Sequence, residues 1–342
     1  MTQPWSIRGF SNEHAHLDKG MLVPGVAYAD APPAVRGGWT REHKAKFTRQ
    51  DIYDRAEAAL QSMLQYGTTY IRTHVDVDPL VGLKCVEALL ELQRNYEKQV
   101  IIDITAFNQE GFDRFPETAE LLEEALGMGR IGLGGHTLTD ADGEGHIRRL
   151  FELCERRDVP WLEFHTDESG KPEHFLMPVI ARESKKRGWA GKVYAIHCNS
   201  LANVTDRQAE EAIELAAEAG LSIIVCPTAV ATRAVTRTKQ LMKAGLRVSL
   251  GSDNMGDLFN PLGSGNMLHY AQLLAYIQRF YEPEEQQALL DMLMSEPADA
   301  EAARRVEELG ACVVYETGRA DLLLAHAPRP VSMARGAALT SP

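Results

Sequence analysis

Trp161-Leu162-Glu163-Phe164-His165-Thr166-Asp167-Glu168 sets how the rest of the chain is read: an apolar run of strand length ends in groups that bind metals and move protons. Runs of the same kind recur at Phe10 to Leu17, Thr69 to Val75, Ile101 to Phe107, Ile131 to Gly134, Val193 to His197, Ser222 to Cys226 and Arg247 to Leu250. Between them lie amphipathic stretches such as DIYDRAEAALQSMLQYG, whose closing glycine reads as a helix stop. Strand and helix in alternation specify a parallel sheet with helical crossovers, and about eight such units is the count of a closed barrel. The expected fold class is therefore α/β, a (β/α)8 TIM barrel over residues 1–310 with a short tail at 311–342. The long connection from Gly20 to Arg49 carries proline, glycine and Trp39, and is expected to form a lid over the barrel mouth. No low-complexity tract, charge block or short repeat divides the chain.

The bulk numbers bound the class of partner. A chain of 342 residues with 44% hydrophobic content can bury a large core. Its net charge of -12 opposes nucleic acid and anionic membranes and suits a small neutral or cationic substrate. Five cysteines, Cys85, Cys154, Cys198, Cys226 and Cys312, show no CxxC spacing and, being odd in number, no disulfide framework. A reducing cytoplasm is the expected compartment. The opening residues MTQPWSIRGF resemble no secretion signal, and no apolar run approaches a membrane span.

In a barrel of this kind the chemistry sits where the strands end. The first strand carries His14-Ala15-His16, and residues at i and i+2 on a strand share a face, so both imidazoles can reach one ion. The other runs close on His165, on His197 and on Gly251-Ser252-Asp253. A single histidine at a strand end is more often a hydrogen-bonded structural residue than a ligand. Recurrence at the same end of several strands has no such structural reason. Three imidazoles and a carboxylate suit Zn or Fe rather than Mg or Ca, which prefer all-oxygen cages. The metal set expected for one divalent ion is His14, His16, His165 and Asp253, which leaves His197 free to polarise the attacked centre. Glu168, three residues beyond His165, is placed to shuttle protons. Without the metal set it would read as an acidic residue near a helix start. A thiol nucleophile at Cys198 beside His197 fails because neighbours on a strand face opposite ways, and Gly263-Ser264-Gly265 lacks the lysine and spacing of a phosphate loop.

The ordered series His14-Ala15-His16-Leu17-Asp18, Arg72-Thr73-His74-Val75-Asp76, Ala106-Phe107-Asn108-Gln109-Glu110-Gly111, His165-Thr166-Asp167-Glu168, Ala195-Ile196-His197, Ser252-Asp253-Asn254 and Pro261-Leu262-Gly263-Ser264-Gly265-Asn266-Met267 resembles the cytosine deaminase branch of the amidohydrolase superfamily. The resemblance runs from about Phe10 to the helix after Met267. It implies a single Fe or Zn on His14, His16, His165 and Asp253, proton transfer by Glu168 and Asp253, and a polarising role for His197. It also implies that Gln109 pairs with the amide edge of a heterocycle. His74 and Asp76 carry no assigned ligand role and are expected to be structural.

Three departures shape the reading. The family's flanking β-sandwich is expected to be missing or vestigial, because nine residues precede Phe10; Gly318-Arg319-Ala320-Asp321-Leu322-Leu323-Leu324 is read as a remnant strand whose edge could pair with another subunit in a homo-oligomer. The segment Asn254-Met255-Gly256-Asp257-Leu258-Phe259 stands where cytosine deaminases proper often show a second aspartate and a tryptophan, which makes Asn254 and Phe259 candidates for substrate contact. Asn254 resembles relatives that remove alkylamines from aminotriazines, whereas retention of Glu168 favours deamination. The expected function is metal-dependent hydrolytic deamination of a small nitrogen heterocycle such as cytosine or a related aminopyrimidine or aminotriazine. The alternatives are release of an alkylamine from an aminotriazine, opening of a cyclic amide, or a non-catalytic barrel subunit.

Overall fold

Side chains on a strand point alternately to its two faces, and that alternation sorts each run between a barrel interior and a helical coat. The computed structural model describes residues 4–23, 29–228, 232 and 234–334. After a short strand β1 (Trp5–Ile7) come β2 (Phe10–Ala15), β3 (Thr68–Asp76), β4 (Ile101–Asn108), β5 (Ile131–His136), β6 (Leu162–Thr166), β7 (Val193–His197), β8 (Ser222–Val225) and β9 (Arg247–Leu250). The eight strands β2 to β9 pair in parallel in chain order. The seam between last and first is closed by a bridge from Ala15 to Asp253. There the Asp253 N–H donates to the His14 carbonyl at 3.0 Å, and the Ser252 N–H donates to Asn12 Oδ1 at 2.9 Å. The expected (β/α)8 barrel is present.

On β3, Ile71 and Val75 join the core beneath the helices. Arg72 and His74 take the other face: Arg72 Nη1 lies 3.1 Å from Glu163 Oε1 and His74 Nε2 lies 2.7 Å from Glu163 Oε2. Since β3 and β6 are not neighbours in the sheet, these bonds cross the barrel interior, where a buried charge needs a partner. Pairing of β2 with β3 slips between Asn12 and Ala15. Along that irregular stretch Glu13 reaches Arg247 at 2.6 Å, while His14 and His16 reach Asp253. Such irregularities re-aim side chains beside active sites.

Two helices follow β2, α1 (Pro33–Lys44) and α2 (Arg49–Leu64). The second starts where Thr48 Oγ1 accepts the Asp51 N–H at 3.1 Å. It buries Ile52, Ala56, Ala59, Leu60 and Met63, the helical spacing read in the sequence. The chain then turns at Gly67, with φ +84°, where a side chain would run into Val313; only glycine meets both demands.

Of the connection read as a lid, residues 24–28 lie outside the described residues, and α1 forms the part over the cavity. Its last residue, Lys44, is buried, with Nζ 2.9 Å from Asp76 Oδ2, 2.6 Å from Asp78 Oδ2 and 3.0 Å from Glu110 Oε1. Burial opposes that charge, but the three carboxylates outweigh it and hold the ammonium well above its ordinary range. The helix is thereby fastened to the ends of β3 and β4.

The segment read as a remnant strand is not one. Ala320–His326 is a helix, and Ala320, Leu323, Leu324 and Ala327, which pack into the core, follow the i, i+3, i+4, i+7 spacing of a helix rather than the alternation of a strand. The edge-pairing argument built on that segment lapses with it. The strands lie on either side: β10 (Cys312–Tyr315) and β11 (Ser332–Ala334) form an antiparallel sheet with β1 in the order β1-β10-β11. Residues 335–342 of the expected tail lie outside the described residues. No helix among the described residues is long and apolar enough to cross a membrane.

Candidate active site

The ends of β2, β6, β7 and β9 converge at the barrel mouth. His14 Nε2 and His16 Nε2 each lie 3.4 Å from Asp253 Oδ1, and His16 Nε2 lies 3.3 Å from His165 Nε2. All four side chains are buried. Ligand atoms on a tetrahedral Zn at about 2.0–2.1 Å sit about 3.3 Å apart, the size of these three separations. His14 Nε2 and Asp253 Oδ2 have no hydrogen-bond partner, a costly arrangement for buried polar atoms unless a ligand completes it. Burial holds the His16 and His165 imidazoles well below their ordinary range, hence in the neutral, metal-binding form. Burial works against the Asp253 charge, but the His14 and His16 imidazoles beside it outweigh burial and hold the carboxyl well below its ordinary range. The donors thus fit a divalent cation of the Zn or Fe type.

Two overlapping groups of four donors are present among the described residues: His14, His16, His74 and His165, and His14, His165, His197 and Asp253. His74 belongs to the first group although its Nε2 is engaged by Glu163, in keeping with the structural role expected of it. Asp76 is likewise structural, paired with Lys19 at 2.8 Å and with Lys44.

Glu168 lies beside this cluster on the same cavity, and its Oε2 is 3.0 Å from His136 Nε2. Burial pushes the Glu168 carboxyl up, but the His197 and His136 imidazoles outweigh it and hold it below the ordinary range, ready to accept a proton. Neither ring nitrogen of His197 has a hydrogen-bond partner, and burial lowers its pKa. Asp167, His197, Cys198 and Asp253 have φ of +59°, +71°, +51° and +59°. Left-handed backbone at residues with side chains costs about 1–3 kcal/mol each, and here it collects at the strand ends that carry the cluster. Cys198 itself is buried, and burial drives its thiol well above the usual range, away from any nucleophilic role.

The cavity has a volume of about 460 Å³, within the usual size for a small-molecule site. His16, His165, His197, Asp253 and Glu168 line its floor, while Pro33, Gly37 and Arg41 of α1 line one wall. The three candidates for substrate contact, Gln109, Asn254 and Phe259, all face this space. Asn254 Nδ2 lies 2.5 Å from Asp257 Oδ2, and Asp257 Oδ1 accepts the Phe259 and Asn260 N–H groups at 2.8 Å each. Burial raises the Asp257 carboxyl to about 6 against the pull of those donors.

Every site residue expected from the sequence therefore falls on one cavity or on the donor cluster at its floor. Sequence reading passed over His136, because the apolar run of β5 was closed at Gly134, two residues short of the strand's end. It also passed over Lys19 and Lys44, whose buried pairing crosses elements distant in the chain. The signal for Lys19 was its place directly after His14-Ala15-His16-Leu17-Asp18.

Comparison with known proteins agrees with this geometry. The model of the amidohydrolase family matches residues 28–298. The N-isopropylammelide isopropyl amidohydrolase of Pseudomonas sp. (strain ADP) is 27% identical over 270 residues, covering 77% of this chain and 66% of that protein. The pterin deaminase of Rhizobium rhizogenes is 27% identical over 275 residues, covering 74% and 61%. The chain thus spans just under two thirds of the length of these relatives. Among solved structures, 5-methylcytosine deaminase from Klebsiella pneumoniae liganded with 5-fluorocytosine superposes with a TM-score of 0.87 at 24% identity, over 96% of this chain and 84% of that one. The chain belongs to the amidohydrolase family.

Proposed function

We propose that this chain is a metal-dependent hydrolase that deaminates a small nitrogen heterocycle. The observation that supports the reading is the approach of His14 and His16 to Asp253 at 3.4 Å each, and of His16 to His165 at 3.3 Å, beside a cavity that Glu168 also faces. A divalent Zn or Fe on those four residues would act as the Lewis acid that lowers the pKa of water toward neutrality.

The remaining work falls to side chains. Glu168, ionised and steadied by His136, takes a proton from the attacking water as its oxygen adds to the amidine-like ring carbon, and gives it to the ring nitrogen. Asp253 relays the second water proton to the exocyclic nitrogen; the C–N bond breaks, ammonia leaves, and the ring carbon becomes a carbonyl. His197, with both ring nitrogens unpaired, donates to the oxygen on the attacked carbon. Gln109, Asn254 and Phe259 hold the ring.

Release of an alkylamine is the second reading, favoured by the similarity to N-isopropylammelide isopropyl amidohydrolase and by a cavity roomier than a bare pyrimidine requires. The test loads purified protein with Zn or Fe and assays cytosine, isocytosine, creatinine, ammelide-like rings and N-alkylaminotriazines for ammonia and for amine. The expected result is about one ion per chain, ammonia from at least one ring, and loss of turnover on chelation with the fold retained. Amine without ammonia would install the second reading. Metal binding with no turnover on any ring would leave a non-catalytic barrel.

A further inference from the structure

An amide side chain can turn over by 180° without changing its shape, so its charged neighbours decide which end it offers to a ligand. Both amides facing the cavity have such a neighbour, and the two neighbours have opposite character. Lys19 is buried, its Nζ 2.8 Å from Asp76 Oδ1 and 3.4 Å from Gln109 Oε1. An ammonium has donors and no acceptor, so the Gln109 atom that faces it has to be the carbonyl oxygen. The NH2 end of Gln109 then has no acceptor among the described residues, and Gln109 lines the cavity. At Asn254 the arrangement is reversed. Asp257 accepts at both oxygens, from two backbone N–H groups and from Asn254 Nδ2, so the NH2 end of Asn254 is taken. Its carbonyl oxygen accepts no hydrogen bond among the described residues, and Asn254 lines the same cavity.

We infer that Lys19 and Asp257 are positioning residues that fix these amides in opposite senses, so that the site takes an amino-substituted ring carrying both an oxo group, for the Gln109 donor, and a ring N–H, for the Asn254 acceptor. A ring substituted with amino groups alone sets donor against donor at Gln109. This assignment names the substrate class for the hydrolytic reading above and rests on the same site. A buried donor left facing a donor costs about ten- to a hundredfold in affinity, and sites built to hydrogen-bond a substrate reject unsuited analogues more strongly than apolar pockets do.

The test measures dissociation constants by calorimetry at pH 8, where Asp257 is ionised, in metal-loaded protein carrying Glu168→Gln so that the ring is not consumed. The probes are matched pairs: cytosine with 2,4-diaminopyrimidine, ammelide with melamine, and pterin with 2,4-diaminopteridine. In at least one pair the oxo ring is expected to bind about a hundredfold tighter. Adding Gln109→Glu, which puts an acceptor where the NH2 group stood, is expected to remove that preference. Lys19→Met is expected to reduce it about tenfold, and Lys19→Arg, still a pure donor, to retain it; a merely structural role for Lys19 would not change the ratio within a pair. Equal binding within every pair, binding of none of the probes, or a preference indifferent to Gln109→Glu would overturn the inference. An oxo preference in protein whose wild type releases neither ammonia nor amine would leave the inference standing and end the hydrolytic reading. Turnover with equal binding within each pair would do the reverse.

Discussion

Glu168→Gln is expected to lower kcat about a thousandfold while leaving the metal content of the purified protein unchanged. The magnitude is that of losing a positioned acid–base group, about 10²–10⁴. The split between activity and metal follows from geometry: Glu168 is hydrogen-bonded to His136 at 3.0 Å and belongs to neither group of four donors. Its carboxyl is kept ionised by His197 and His136 against burial, whereas a neutral amide of the same shape can take no proton. Ammonia release under saturating substrate, with elemental analysis of the same sample, makes the comparison. A variant within tenfold of the parent would remove Glu168 from the proton path.

His165→Ala is expected to empty the site. His165 belongs to the proposed set of His14, His16, His165 and Asp253 and to both groups of four donors, so each choice of ligands loses a member without it. Replacement of groups that only support ligands costs about 10–100-fold in metal affinity or activity, and removal of a ligand should exceed that. Metal content after gel filtration should fall below one-tenth of the parent, with turnover lost. His16→Ala and His197→Ala then separate the proposed set, which contains His16 and not His197, from the group of His14, His165, His197 and Asp253, which contains the reverse. Loss of metal in the first and retention in the second is the expected pattern. Full metal content in His165→Ala would discard the whole assignment.

The barrel was legible because strands such as β6 and β7 combine local evidence that agrees: an apolar run, a polar closing residue and a helix after it. Val193 to His197 and Arg247 to Leu250 were read with the bounds the structure has. Reading failed where local evidence was thin. Gly134 and Gly135 interrupt the apolar run of β5, which hid His136. Leu322 to Leu324 is too short an apolar run for its period to be seen unless Ala320 and Ala327 are counted with it. The better strand signal nearby was Cys312-Val313-Val314-Tyr315, rich in β-branched and aromatic residues. Buried pairs such as Lys44 with Asp78, and Lys19 with Gln109, join residues far apart in the chain, and no periodicity reports them. Gln109 and Asn254 could be nominated from the sequence, but which end of each amide meets a ligand depends on those distant partners.

The bridge from Ala15 to Asp253 puts His14 on the opening strand of the barrel, His16 just past it, and a third expected ligand just past the final strand. A cation held there would act as a clasp over the join, tying together segments separated by most of the polypeptide, where the entropy of closing so large a loop opposes the contact. Occupancy and local breathing are then coupled by mass action. Amide exchange at Ser252 and Asp253, whose N–H groups bond to Asn12 and His14 across the join, should slow on adding Zn, while strands on the far side such as β5 keep their rates. Uniform slowing around the ring would mean that the ion stabilises the barrel as a whole.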